Sequence, residues 1–74
     1  MARYFLQLYD GNERHVDGDG EEFESLEAAE QAAVQSAKEI MAEGILPGVL
    51  SDQRFVIEDN RGREVSVIRF SELR

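Results

Sequence analysis

Cysteine is absent from the 74-residue chain. No disulfide can staple the fold, and neither a thiolate metal site nor a thiol nucleophile can be built. The absence fits a reducing compartment, so a cytoplasmic location is expected. Long apolar runs are missing too. Nothing approaches the ~20 residues of a membrane-spanning helix, and the opening MARYFLQLYDGNE turns polar too soon for a signal peptide. Histidine is nearly absent: a Ser–His–Asp relay would have to use His15, beside Arg14, and none of Ser25, Ser36, Ser51, Ser66 and Ser71 sits in a nucleophile-elbow context. A phosphate cradle is missing as well, because Asp17-Gly18-Asp19-Gly20 places acids where a phosphate needs backbone N–H groups and a base. Carboxylates are plentiful, but a general acid needs a desolvated cleft to raise its pKa, and so short a chain offers little such volume. These absences speak against an enzyme, and no cofactor is expected.

Bases are also in deficit, with 8 Lys and Arg against 16 Asp and Glu and a formal charge of −8. The imbalance is local. Residues 10–30 hold Asp10, Glu13, Asp17, Asp19, Glu21, Glu22, Glu24, Glu27 and Glu30 against Arg14 alone, and elsewhere the charges cancel. A surface of this kind repels a phosphate backbone, which disfavours nucleic acid, and it attracts a basic protein partner. The C-terminal third carries Arg54, Arg61, Arg63, Arg69 and Arg74, so a second copy of the chain is another available partner.

What is present reads as one α+β domain over residues 1–74. Arg3-Tyr-Phe-Leu-Gln-Leu-Tyr9 is dense in strand formers, with Tyr4, Leu6 and Leu8 on one face and Phe5, Gln7 and Tyr9 on the other. Asp10-Gly11-Asn12 is a turn, and a short strand follows at residues 13–16. Residues 17–24 read as a loop. Ser25 is placed to cap a helix over Leu26–Glu43, whose Leu26, Ala29, Ala33, Ala37 and Ile40 recur at spacings of three and four. Gly44 suits the left-handed position past the last turn, and Pro47 forbids continuation. Residues 54–58 and 63–70 form a hairpin around Asp59-Asn60-Arg61-Gly62. The order is β-β-α-β-β: a small, mainly antiparallel sheet of three to four strands with one helix packed on one face. The expected helix-facing core is Leu6, Leu8, Leu26, Ala29, Ala33, Ala37, Ile40, Phe55, Ile57, Val65 and Val67. Ile68 and Phe70 take the opposite phase, which a bulge near Val67-Ile68 would explain.

A chain this short gains little from burial unless something staples or pairs it. Phe5, Tyr9, Val56, Ile68 and Phe70 fall on the face the helix leaves bare, so a homodimer through that face or a sheet edge is expected. The competing reading tucks those residues under a lid of Ile45, Leu46, Val49 and Leu50.

The acidic stretch HVDGDGEEFES resembles a cation-binding loop, but it fails the ligand count of a helix–loop–helix calcium site. Counted from Asp17, Asp19 and Glu21 fit, yet Glu22 stands where Gly belongs and Ala28 where the closing Glu belongs. Counted so that Gly20 is sixth, His15 comes first and Leu26 takes the closing position. The structural reading is an acidic turn in which Glu22, Glu24 and Glu27 favour the helix N-terminus and Phe23 anchors the loop to the core. A looser metal site from Asp17, Asp19 and Glu21 is the alternative.

The opening Met1-Ala-Arg-Tyr-Phe, the Asp10-Gly11 turn, the loop Asp17…Gly20-x-Glu22-Phe23, the helix start Leu26-x-Ala28-Ala29 and the hairpin Phe55-x-Ile57-x-Asp59-x-x-Gly62-x-x-Val65 occur in this order. In these the chain resembles a family of short bacterial proteins classed as a domain of unknown function. The resemblance implies a small cytoplasmic bacterial protein and transfers no catalytic or ligand residue. The expected function is a small non-enzymatic interaction module that self-associates and offers an acidic surface to a basic partner, with Asp17, Asp19, Glu22, Phe5, Tyr9 and Phe70 as contact residues. The alternative is a weak cation- or ligand-binding accessory protein using residues 17–24.

Overall fold

Alternating apolar residues near the N-terminus make the first strand the spine of the sheet. The computed structural model describes residues 1–15, 18–44 and 48–73. Its elements are β1 (Ala2–Asp10), β2 (Glu13–His15), β3 (Glu21–Phe23), α1 (Leu26–Glu43), β4 (Gln53–Glu58) and β5 (Glu64–Arg69), with 3₁₀ turns at Leu50–Asp52 and Phe70–Leu73. The order across the sheet is β2-β1-β4-β5, and β3 pairs with the first residues of β1. The pairings are antiparallel. The α+β layout is as expected, with five strands rather than three or four. The added strand, β3, lies inside the segment read as a loop. Three residues are too few for a period, and they are extended because Ala2, Arg3 and Tyr4 pair with them.

The helix begins where Ser25, itself extended, accepts the Ala28 N–H at 3.1 Å on its hydroxyl. It ends at Gly44, whose φ of 63° lets its N–H reach back to the Ile40 carbonyl at 3.0 Å. Its alanine stripe, Ala29, Ala33 and Ala37, is fully buried against the sheet. Small side chains let the helix lie close, and the volume is filled from the sheet side by Phe55, Ile57 and Phe70. Tyr4, Leu6, Leu8, Phe23, Leu26 and Ile40 pack around them as partly buried neighbours. The Phe23 ring lies 6.3 Å from Tyr4, which anchors the acidic segment as expected.

The last strand corrects the expected core. Val65 and Val67 do not face the helix; they are 38% and 40% exposed. Ile68 packs against the core instead, and Phe70 is wholly buried there, its ring 5.6 Å from Phe55. The cause is a register shift: Ile57 pairs with Ser66, but Glu58 pairs with Glu64, so one extra residue is taken up near Val65 and not at Val67-Ile68. Ser66 then points to the helix, where its hydroxyl donates to Glu30 Oε2 at 2.5 Å. The competing lid reading is met only in part. Leu50 packs into the helix-side core, Val49 is 62% exposed, and Ile45 and Leu46 lie outside the described residues.

Below the sheet's end sits one polar knot. Asp10, nearly buried, accepts from the Gly48 N–H at 3.2 Å and from the Gln53 amide at 3.4 Å, while that amide also donates to the Gly48 carbonyl at 3.0 Å. A Cβ at Gly48 would overlap the Asp10 carboxylate, so glycine is required at that close approach.

Candidate functional site

Antiparallel registers place side chains in rows across the face opposite the helix. Tyr9 stands opposite Arg14 on one side and Arg54 on the other, and Arg54 stands opposite Arg69. The next row is Gln7, Val56 and Val67, and the next is Phe5, Glu58 and Glu64. The face therefore has a basic end, a middle and an acidic end.

At the basic end the Arg54 guanidinium carbon lies 4.4 Å from the centre of the Tyr9 ring, and that of Arg14 lies 6.0 Å away. Both fall within cation–π reach, and Arg54 is the closer stack. In the middle Gln7 and Val56 are buried at 3% and 4% exposure, while Val67 stays open. Gln7 Nε2 donates to Glu58 Oε1 at 3.4 Å. At the acidic end a shallow cleft of about 280 Å³ is bounded by Phe5, Gln7, Glu58 and Asn60 among others. Gly20 makes room for its aromatic wall, since a Cβ there would sit 2.8 Å from Phe5 Cε2. Asp59 closes the hairpin beside it. The N–H of Arg63 and then that of Arg61 donate to its carboxylate, holding its pKa below the usual value.

The residues expected to meet partners are thus divided. Phe5 and Tyr9 are on the open face, four residues apart along β1. Phe70 is corrected to the core, because the shifted register turns it toward the helix. Asp19, Glu21 and Glu22 are exposed on the flank formed by β3 and the segment before it, next to the equally exposed Glu24 and Glu27. Arg3 crosses to that flank: it stands opposite Glu22, and its Nη1 donates to the Asp19 carbonyl at 2.8 Å. Asp17, named for both the metal and the partner readings, lies outside the described residues. Among the described residues no three His, Asp or Glu side chains come close enough to hold a metal ion.

Sequence reasoning missed Arg54, Glu58, Glu64 and Arg69 as members of one surface. The alternation of Arg54, Val56 and Glu58 was a usable signal, but Glu64 joins the row only because of the bulge.

A family model described as a domain of unknown function (DUF6894) matches residues 3–71. No curated protein and no solved structure matches the chain. Among the described residues no helix is long and apolar enough to cross a membrane.

Proposed function

Given that the chain belongs to the DUF6894 family, whose description leaves its role open, we propose that it is a small non-enzymatic interaction module that self-associates through the open face of its sheet. One observation carries this reading. The face opposite the helix exposes Val65 and Val67 within a frame of arginine and glutamate, with residues 18–20 lying against its Phe5 corner. An apolar centre with a charged rim is the general build of a protein–protein contact. The polar groups here are engaged with one another, Gln7 with Glu58 and Arg54 with Tyr9, which suits a recognition surface better than a catalytic one. The acidic flank of Glu21, Glu22, Glu24 and Glu27 remains free for a basic protein partner in the same assembly.

Sedimentation equilibrium over a wide range of protein concentration tests this. The expected mass rises from the 8.4 kDa monomer toward twice that value. A single monomeric species up to the solubility limit would overturn self-association.

A further inference from the structure

The open face carries two unfavourable cross-strand pairs. Arg54 is directly opposite Arg69, and Glu58 is directly opposite Glu64. Like charges so placed destabilise a sheet on their own. They lie at opposite ends of the face, with the Gln7, Val56 and Val67 row between them. A partner with the reverse arrangement neutralises both ends, and the chain itself is such a partner.

Two identical sheets can stack face to face about a two-fold axis in two ways. With the axis along the strands, basic end meets basic end and acidic end meets acidic end. With the axis across the strands, the ends exchange. Resting on the reading that this face self-associates, we propose that a second copy stacks with its strands reversed. Arg54 then lies over Glu58 of the second copy, Arg69 over Glu64, and Tyr9 over Phe5, while the exposed Val67 meets its own counterpart at the axis. Each match follows from one operation on the observed registers. The cleft beside Phe5 and Glu58 has an aromatic wall and a carboxylate, the two features that hold a guanidinium, and it receives Arg54 of the second copy. Aligned sheets cross at about 30°, which preserves these rows over so narrow a patch.

The size of the face sets the strength. Three strands spaced ~4.8 Å apart and ~20 Å long, with the three residues of β2 beside them, give a footprint of roughly 350 Å² per copy, against roughly 800 Å² per partner for a standard stable interface. The dimer is therefore weak, and its charged rim makes it salt-sensitive.

Charge reversal tests the arrangement. Arg54→Glu alone and Glu58→Arg alone each weaken self-association by about tenfold or more, since each leaves like charges facing across the interface. An equimolar mixture of the two restores the dimer, because opposite charges meet again only between unlike copies. Sedimentation equilibrium reads the result, and circular dichroism checks the fold of each variant. Should either variant fail to fold, the exposed pair Arg69→Glu and Glu64→Arg takes its place. A wild-type dimer whose variant mixture stays monomeric overturns the reversed stack while leaving self-association standing. A monomeric wild-type chain overturns both.

Discussion

Replacing Gly20 by Ala should destabilise the protein more than the same change at Gly11, and the difference isolates a single packing contact. Both glycines sit in the left-handed region, at φ of 69° and 63°. An L-residue there costs roughly 1–2 kcal/mol, and subtraction removes this shared part. The surroundings differ. A Cβ at Gly11 would meet nothing within 4 Å, whereas at Gly20 it would lie 2.8 and 2.9 Å from two atoms of the Phe5 ring and 3.0 Å from the Tyr4 carbonyl oxygen. The ring can swing away, but the carbonyl belongs to β1 and cannot. Overpacking of this kind costs about 1–3 kcal/mol. With an m-value of about 1 kcal/mol/M in urea, the low end for small proteins, the two midpoints should differ by roughly 1–3 M. The assay is urea unfolding followed by far-UV circular dichroism, at low protein concentration so that association adds nothing to stability. Because Phe5 also walls the cleft, Gly20→Ala should weaken self-association as well. If Gly20→Ala proved no less stable than Gly11→Ala, the close approach of Gly20 to Phe5 would be wrong, and the cleft with it.

Two further expectations separate the two faces of the sheet and the role of the hairpin. Phe70→Ala should cost about 3–5 kcal/mol, as a wholly buried ring lost from the core does, while Val67→Ala in the monomer should cost under about 1 kcal/mol; equal losses in urea unfolding would show that the last strand had been turned the wrong way round. Asp59 has a lowered pKa in the folded chain, chiefly because the Arg63 and Arg61 N–H groups bond its charged form. Its contribution is therefore present above the ordinary carboxylate pKa and is lost as pH falls through the folded value. Thermal melts of Asp59→Asn and wild type should differ at neutral pH and converge in acid; a gap that stayed constant with pH would refute the assignment.

Much of the scaffold is written locally. Ser25, the alanine stripe and Gly44 define the helix and both its ends from neighbours within a few residues, and the structure has it over the expected span. The two faces of β1 follow from strict alternation, so the inward place of Leu6 and Leu8 and the outward place of Phe5 and Tyr9 were legible. The hairpin turn around Asp59-Asn60-Arg61-Gly62 was legible too, and Gly62 takes a φ of 79° within it.

What the residues left undecided is nonlocal. Glu21-Glu22-Phe23 has no periodicity of its own and is a strand only because β1 offers it an edge. In β5 both phases of the alternation carry apolar residues, so hydrophobicity could not choose between Val65 with Val67 and Ile68 with Phe70. The choice came from the bulge at Val65, which depends on how β4 and β5 close around their turn. The charge-segregated face has the same origin. The composition of each strand determined which side chains were available to it, but only the pairing of strands distant in sequence brought Arg54 beside Arg69 and Glu58 beside Glu64. Alternation along one strand is a covalent property, and the alignment of one strand against another is set by packing across the whole fold.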